Sequence, residues 1–572
     1  MTILYNDPSD FPEQARLGLV AAHRDKLMAV YGGVVRSTRS KPGSVAVVIG
    51  GGSGHYPAFA GLVGQGLAHG AAMGNLFASP SAQQVYSVAK AADNGGGVLL
   101  TFGNYAGDVL HFGQARERLI AEGIPCEIVT ITDDVASASL EEFDKRRGIA
   151  GDLTVFKAAA AAAEAGASLE QVVAVAKEAN RRTRSFGVAF DGCTLPGAED
   201  ALFHVPAGRM AIGLGIHGEP GVSEQDVPTA DGLAEALVSR LLEEVPAGIE
   251  REGARVAPIL NGLGRVKYEE LFVVYRRVDE LLHEAGLSIV EPEVGEMVTS
   301  LDMAGVSLTL FWLDDELEQR WKAPADTPAY RKGSVAVAEA LDPAELEAVE
   351  RQEIPPASEA SRQLAKGVVS ALETLVATVD AHAEELGRID AIAGDGDHGI
   401  GMQRGSKACL EAAREALAGG AGAQTVLSFA AERWADRAGG TSGAIWGVIL
   451  SSIGEALGND LPLNADRLVR GVSAASDNVM SFGKAVPGDK TLVDVLVPFA
   501  EAVAEHAADG VAVTWERAAQ RAEEAAQATA ELLPRVGRAR PLAEKSLGTP
   551  DAGATSLALI VTALVPVIQR CA

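Results

Sequence analysis

The feature that most constrains this sequence is a change in hydrophobic periodicity near residue 330. Before it, short β-branched runs at 45–49, 98–102, 127–132, 210–216, 256–260 and 306–313 alternate with helical stretches. Strands that are apolar throughout and spaced by helices indicate a parallel or mixed sheet covered on both faces. After residue 360 the strand signal ends. Leu364, Val368, Leu372, Leu375 and Val379 recur at intervals of three and four, one face of an amphipathic helix. Ala-rich segments at 407–418, 425–437, 465–480, 492–508 and 514–533 continue that pattern. The reading is an α/β part at 1–325, with sub-lobes at 1–190 and 191–325, followed by an all-α part at 359–572. Between them Pro324, Pro328, Pro355 and Pro356 bracket an Ala/Glu-rich stretch, so 326–358 reads as a linker.

Charge narrows the function. The chain has 49 Lys+Arg and 77 Asp+Glu, a net charge of −28. That field repels a phosphate backbone and an anionic membrane surface, so neither nucleic acid nor membrane is an expected partner. An anionic substrate then requires a local device: a metal, an arginine or a helix N-terminus. Cys126, Cys193, Cys409 and Cys571 are far apart and show no CxxC spacing, which fits a reducing cytoplasm and argues against zinc. The first residues show no signal-peptide pattern. No uninterrupted apolar run reaches about 18 residues, so no membrane span is expected.

Three glycine-rich stretches follow expected strands. Gly50-Gly51-Gly52-Ser53-Gly54-His55 is the first. Bare backbone N–H groups at a strand end approach a ligand closely, and His55 beside them is an acid or base. A tight βα turn explains the glycines equally well. Gly103-Asn104-Tyr105-Ala106-Gly107-Asp108 is the second, and Asp108 is either a helix N-cap or a base. In Gly215-Ile216-His217-Gly218-Glu219, His217 is either exposed to a ligand or a structural imidazole. Three such sites at strand ends favour the functional reading, because open α/β sheets bind ligands there.

The strongest stretch is Asp390-Ala391-Ile392-Ala393-Gly394-Asp395-Gly396-Asp397-His398-Gly399. Asp390, Asp395 and Asp397 repel one another unless a hard cation compensates, and oxygen ligands suit Mg²⁺. An EF-hand fails, because counting from Asp395 its sixth position is Ile400 and its twelfth Ser406. Gly439-Gly440-Thr441-Ser442-Gly443 before an apolar helix has the form of a phosphate site. Residues 483–491 approach a P-loop, but Asp489 takes the lysine position and no strand precedes it. Arg538 and Arg540 precede Asp551-Ala552-Gly553, where they could meet a phosphate.

Taken together and in this order, these motifs resemble those of the single-chain, ATP-dependent dihydroxyacetone kinases, across nearly the whole chain. The resemblance implies a two-lobed α/β ketose-binding K domain followed by an all-α helical-barrel, Mg-ATP-binding L domain. It implies that His217 bonds the substrate carbonyl covalently, with His55 and Asp108 moving the hydroxyl proton. Gly52, Ser53, Gly54 and Gly103 would surround the ketose. Asp390, Asp395 and Asp397 would hold two Mg²⁺. His398, Gly399, Ile400, Gly401, Thr441, Ser442, Gly483, Leu492, Arg538, Asp551, Ala552 and Gly553 would line ATP. It further implies a cytoplasmic homodimer in which the K domain of one chain faces the L domain of the other.

The chain departs from that pattern at Tyr56, Phe59 and Gly103, where triose enzymes of the family usually carry Glu, His and Lys. It is more similar to the branch acting on erythrulose, with the D isomer favoured. Gly103 would give room for the extra hydroxymethyl group and Tyr56 a hydrogen-bond partner. The alternatives are dihydroxyacetone as substrate, FAD-AMP lyase (FMN-cyclising) activity, and a non-catalytic ketose sensor. Intact Asp390, Asp395, Asp397 and His217 speak against a sensor.

Overall fold

A computed structural model describes residues 2–213, 215–217, 219, 221–336, 354–394, 396–536 and 544–571. The chain forms two compact units, Met1–Arg351 and Gln352–Ala572.

The first unit holds two sheets. One consists of β1 (Leu27–Val30), β2 (Gly33–Arg36), β3 (Ala46–Ser53), β4 (Gly70–Leu76), β5 (Val98–Gly103) and β6 (Cys126–Ile131), in the order β1-β2-β4-β3-β5-β6. Strand β3 is central, parallel to both β4 and β5, and its Val47, Val48 and Ile49 are buried. This is the doubly covered sheet that the apolar runs require. Helices α1 (Phe11–Ala22), α2 (Ala82–Ala92), α3 (Ala106–Ala121), α4 (Asp152–Glu164) and α5 (Leu169–Arg181) accompany it. Ser81 with Gln84 and Ser168 with Gln171 form capping boxes that start α2 and α5. Helix α4 is buried along nearly its whole length, and its alanine run lets it pack closely.

The second sheet contains β7 (Thr183–Asp191), β8 (Arg209–Ile212), β9 (Ser223–Asp226), β10 (Arg255–Gly262), β11 (Ser288–Ile289), β12 (Glu293–Gly295) and β13 (Ala304–Leu313). Its order is β11-β10-β13-β7-β8-β9, with β12 also on β10. Helices α6 (Ala230–Leu242) and α7 (Tyr268–Glu284) bury Leu237, Leu241, Val278 and Leu282 on it. Because β7 begins at Thr183, the second lobe starts before residue 191.

Helix α8 (Asp315–Lys322) leads to a hairpin of β14 (Ala325–Asp326) and β15 (Arg331–Lys332). Composition assigned this segment to the linker. The structure folds it into the first unit instead. Asp326 N–H donates to the Gln65 carbonyl at 2.8 Å, and the buried Thr327 hydroxyl donates to the Gly61 carbonyl at 2.8 Å. Tethered backbone overrides the reading of its prolines. The rest of the linker assignment falls largely on residues 337–353, outside the described residues.

The second unit is helical: α9 (Glu359–Asp390), α10 (His398–Ala418), α11 (Ala423–Ala438), α12 (Gly440–Leu457), α13 (Ala465–Gly483), α14 (Val493–Glu505), α15 (Val511–Ala528), α16 (Ala552–Ala563) and α17 (Val565–Cys571). Each packs on the next, and α16 and α17 return to α9, so the helices close into a barrel. Its core joins Leu372, Trp434, Leu496, Phe499 and Leu557. An apolar cavity of about 160 Å³ remains inside. One stretch, Ala552–Arg570, is long and apolar enough to span a membrane, which inspection for uninterrupted apolar runs overlooked. It is the α16–α17 pair, and its Leu557, Ile560 and Val561 are buried in the barrel core.

Candidate active site

In the first unit the glycines at the end of β3 are sterically required. A Cβ on Gly52 would stand 2.8 Å from the Ala78 nitrogen. The loop after β4 therefore crosses the strand end directly, carrying Phe77 at φ 52°. Gly51, Gly52, Ser53 and Gly54 line a cavity of about 500 Å³ with Phe59 and Leu301.

His55 is buried and its Nδ1 lies 2.7 Å from the Thr299 carbonyl, so Nδ1–H donates there. Its Nε2 faces His217 Nε2 at 3.0 Å, with the rings edge-on and 4.7 Å apart. Burial, and then the neighbouring imidazole, hold His55 down to about 3, so it is neutral at rest. His217 Nδ1 lies 3.0 Å from Glu219 Oε1, and the His217 backbone N–H donates to Glu219 Oε2 at 3.0 Å. With both Nδ1 atoms donating, one proton lies between the two Nε2 atoms. The rings of Phe77 and Tyr105 wall His217 at 5.6 and 4.6 Å.

Asp108 sits in the first turn of α3, one turn after Tyr105, and is buried. Burial pushes its carboxyl up to about 7, against a hydrogen bond from Ser79. Its Oδ1 has no protein partner. A carboxylate held there is poised to take a proton near neutral pH.

The structure thus brings His55 and His217 together, with the Asp108 helix beside them. Glu219, Ser79, Phe77 and Tyr105 were not singled out from sequence; for Glu219 the signal was its place two residues after His217. The expected role of Gly103 does not match its surroundings. A Cβ on Gly103 would stand 3.2 Å from the Tyr105 ring and 3.3 Å from the Gly148 carbonyl oxygen, so that space is already filled. Tyr56 is half exposed, its ring lies beside Gly61, and it lines the same cavity as Gly51 to Gly54. Phe59 does reach the site, its ring edge-on to His55 at 6.4 Å.

In the second unit the acidic loop joins α9 to α10. Asp390 ends α9, and its Oδ2 accepts from the His398 N–H at 3.3 Å. Burial and then Asp390 raise the Asp397 carboxyl. His398 Nε2 lies 3.1 Å from Ser556 Oγ, and its Nδ1 lies 3.5 Å from Ser442 Oγ. Side chains from the N-terminal turns of α10, α12 and α16 therefore meet at His398. Thr441 lies in the first turn of α12. Gly399, Ile400 and Gly401 lie in the first turn of α10, with Ile400 exposed. Asp551 caps α16, accepting from Ala554 N–H at 2.7 Å, and burial pushes its carboxyl up to about 6, Asp494 and Asp390 adding to the rise. A Cβ on Gly553 would stand 3.4 Å from Leu492, and Ala552 is buried. Gly483 ends α13, with no neighbour within 4 Å of a Cβ there.

Asp395 and Arg538 lie outside the described residues. Among the described residues no three acid, His or Cys side chains form a ready metal cage. Lys490, which sequence reasoning passed over, donates to the carbonyls of Leu532 and Ser546 at 3.1 and 2.7 Å.

The two units match family models separately: residues 17–329 a Dak1 domain and residues 392–566 a DAK2 domain. An L-erythrulose kinase of Pectobacterium atrosepticum is 63% identical over this whole chain and 97% of its own. A D-erythrulose kinase of Mycolicibacterium smegmatis is 54% identical over 98% of this chain and 97% of its own. Among solved structures, the dihydroxyacetone kinase from C. freundii in complex with AMP-PNP and Mg²⁺ is 28% identical, covers 99% of both chains and has a TM-score of 0.52. The chain belongs to the dihydroxyacetone kinase family, with its Dak1 and DAK2 domains in one polypeptide.

Proposed function

We propose that the protein is an ATP-dependent kinase of short-chain ketoses, that it holds the ketose covalently on His217, and that erythrulose is its preferred substrate. The observation that carries this reading is the His55–His217–Glu219 arrangement at the end of a glycine-lined strand.

The chemistry follows from the two tautomers. The Nε2 lone pair of His217 bonds the ketose carbonyl carbon, and the carbonyl π pair moves to oxygen. The proton between the two Nε2 atoms passes through His55 to that oxygen and gives a neutral hemiaminal hydroxyl. The bonded imidazole now carries the positive charge, and Glu219, on its Nδ1–H, balances it. A polyol has no carbonyl and is not captured. Asp108 accepts the proton of the hydroxyl that receives the phosphoryl group.

For the nucleotide, the donor set of Asp390, Asp395 and Asp397 is all carboxylate oxygen, and Asp390 already destabilises charge on Asp397. These residues would hold Mg²⁺, two ions in this reading, and such ions neutralise the charge of the transferring phosphates. His398 to Gly401, Thr441, Ser442, Gly483, Leu492, Arg538 and Asp551 to Gly553 line the nucleotide. The protein works in the cytoplasm as a homodimer in which the first unit of one chain serves the second unit of the other.

The choice of ketose rests on the erythrulose kinases among its relatives and on Tyr56 and Phe59, since the space expected at Gly103 is filled. The 63% identity to an L-erythrulose kinase favours the L isomer over the D isomer preferred from sequence. The test is ADP release with dihydroxyacetone, D- and L-erythrulose, glyceraldehyde and glycerol. L-Erythrulose should be used at least as well as dihydroxyacetone by kcat/KM, and glycerol not at all. A preference for dihydroxyacetone of about tenfold, roughly 1.4 kcal/mol, would return the protein to the triose enzymes.

A further inference from the structure

Arg147 lies in the segment before α4. Its Nε and Nη2 donate to Asp134 Oδ2 at 3.1 and 2.8 Å, and Nη2 donates to the Gly213 carbonyl at 3.1 Å. Its Nη1 stands 3.9 Å from Glu219 Oε2. Gly213 and Glu219 belong to the second lobe and Asp134 to the loop after β6, so this side chain ties the two lobes at the nucleophile. Its backbone is held as well: its N–H donates to Ser137 Oγ at 3.0 Å, and its carbonyl accepts from Asp134 N–H at 3.1 Å.

The residues on either side of Arg147 are gripped from the loop between β5 and α3. Asn104 Nδ2 donates to the Arg146 carbonyl at 2.8 Å, and the Tyr105 hydroxyl donates to the Gly148 carbonyl at 3.0 Å. The Tyr105 ring then packs edge-on against His217. The contacts run in a closed circuit: Tyr105, His217, Glu219, Arg147, Gly148 and back to Tyr105. Gly215 keeps the circuit open to both charges, because a Cβ there would overlap Glu219 Oε2 and crowd Arg147 Nη1.

We propose that Arg147 is a positioning residue for the covalent nucleophile: through Glu219 it holds His217 with Nδ1–H donating and Nε2 presented to the ketose carbonyl. The inference rests on the covalent capture proposed above. Its physical basis is charge balance in a buried place. Arg147 and the proton shared by the imidazoles offset Asp134 and Glu219, two charges against two. Without Arg147, Glu219 Oε2 loses its cationic neighbour and is repelled by Asp134, so the carboxylate that fixes the His217 ring through Nδ1–H and the backbone N–H is no longer held in place. The groups facing Arg147 and Glu219 are Asp134, His217, His55 and the Tyr105 phenol, with Asp152 behind the phenol.

The test uses the full-length protein with Arg147→Gln and Arg147→Lys, and ketose labelled with ¹³C at the carbonyl, without nucleotide. Wild type should convert the ketone signal to a hemiaminal signal. Arg147→Gln should lose about tenfold or more of the adduct at every pH tested, with kcat/KM falling in proportion. Arg147→Lys keeps the charge and should stay within about threefold of wild type. AMP-PNP affinity and thermal unfolding check the fold, and if Arg147→Gln does not fold, the lysine variant alone decides. Adduct formation by Arg147→Gln equal to wild type at every pH overturns the inference, as does adduct loss in a folded Arg147→Lys. A wild type that phosphorylates ketoses without any adduct overturns the covalent reading itself.

Discussion

Asp108 shows how the site sets one carboxylate against its surroundings. Burial raises it to about 7, with one oxygen unpartnered, so it must lose its proton to work as a base. Activity through Asp108 should therefore fall as pH drops below about 7, read from the acid limb of kcat/KM in the wild type. Asp108→Asn should lower kcat by about 10²–10⁴-fold, the usual worth of a general base, with KM little changed. Stability runs the other way. Because the folded value lies above the unfolded one, the stabilisation belongs to the protonated form. It is complete below the ordinary carboxyl range and is lost as pH rises through about 7. Asp108→Asn should raise Tm more at alkaline than at acid pH. His55, His217 and Asp108 were legible because each stands beside a glycine-rich stretch that follows an expected strand. Arg147 was not, since it lies 70 residues from His217 and no spacing rule joins a loop in one lobe to a loop in the other. Gly103 shows the complementary limit: the space beside it is taken by Tyr105. A missing side chain in a motif does not say that the space it leaves is empty.

Elements were read best where period and length agreed. The strands at 45–49, 98–102 and 306–313 appear as β3, β5 and β13 within a few residues. Strand β4, built from Gly-Ala-Ala-Met-Gly, gave no signal because small residues carry little β preference. It is a strand because β3 pairs with it in the interior. In the second unit α9 and α10 cross at Gly399, where a Cβ would overlap the Ala383 carbonyl oxygen. Gly399→Ala should therefore force the helices apart at the acidic loop, at a cost of about 1–3 kcal/mol. Thermal unfolding should show the loss, and AMP-PNP affinity should fall with it. Unchanged stability would mean that this crossing has slack.

Among the described residues, the three hydrophobic clusters of the first unit and the one of the second share no residue. Calorimetry should therefore show two transitions. Ketose should raise one of them and Mg–AMP-PNP the other, each through ligand linkage. A single transition moved equally by both would contradict independent cores. The proposed crossed homodimer has its own test. A mixture of His217→Ala and Asp397→Asn chains, each inactive alone, should regain up to about a quarter of wild-type activity, since half the dimers form as hybrids with one intact pair. No recovery would assign each chain its own complete site. The closure of the helical ring has a different consequence. Asp551, at the start of α16, is an electrostatic neighbour of Asp390, at the end of α9. From there α16 and α17 run back along α9 toward Glu359. Ser358 N–H donates to the Asn459 carbonyl at that same far pole. The second unit is thus entered and left at one pole, with its acidic loop at the other. In engineering terms it is a cassette: its ends can be joined to each other, or set into a foreign surface loop, without disturbing the pole where the carboxylates gather.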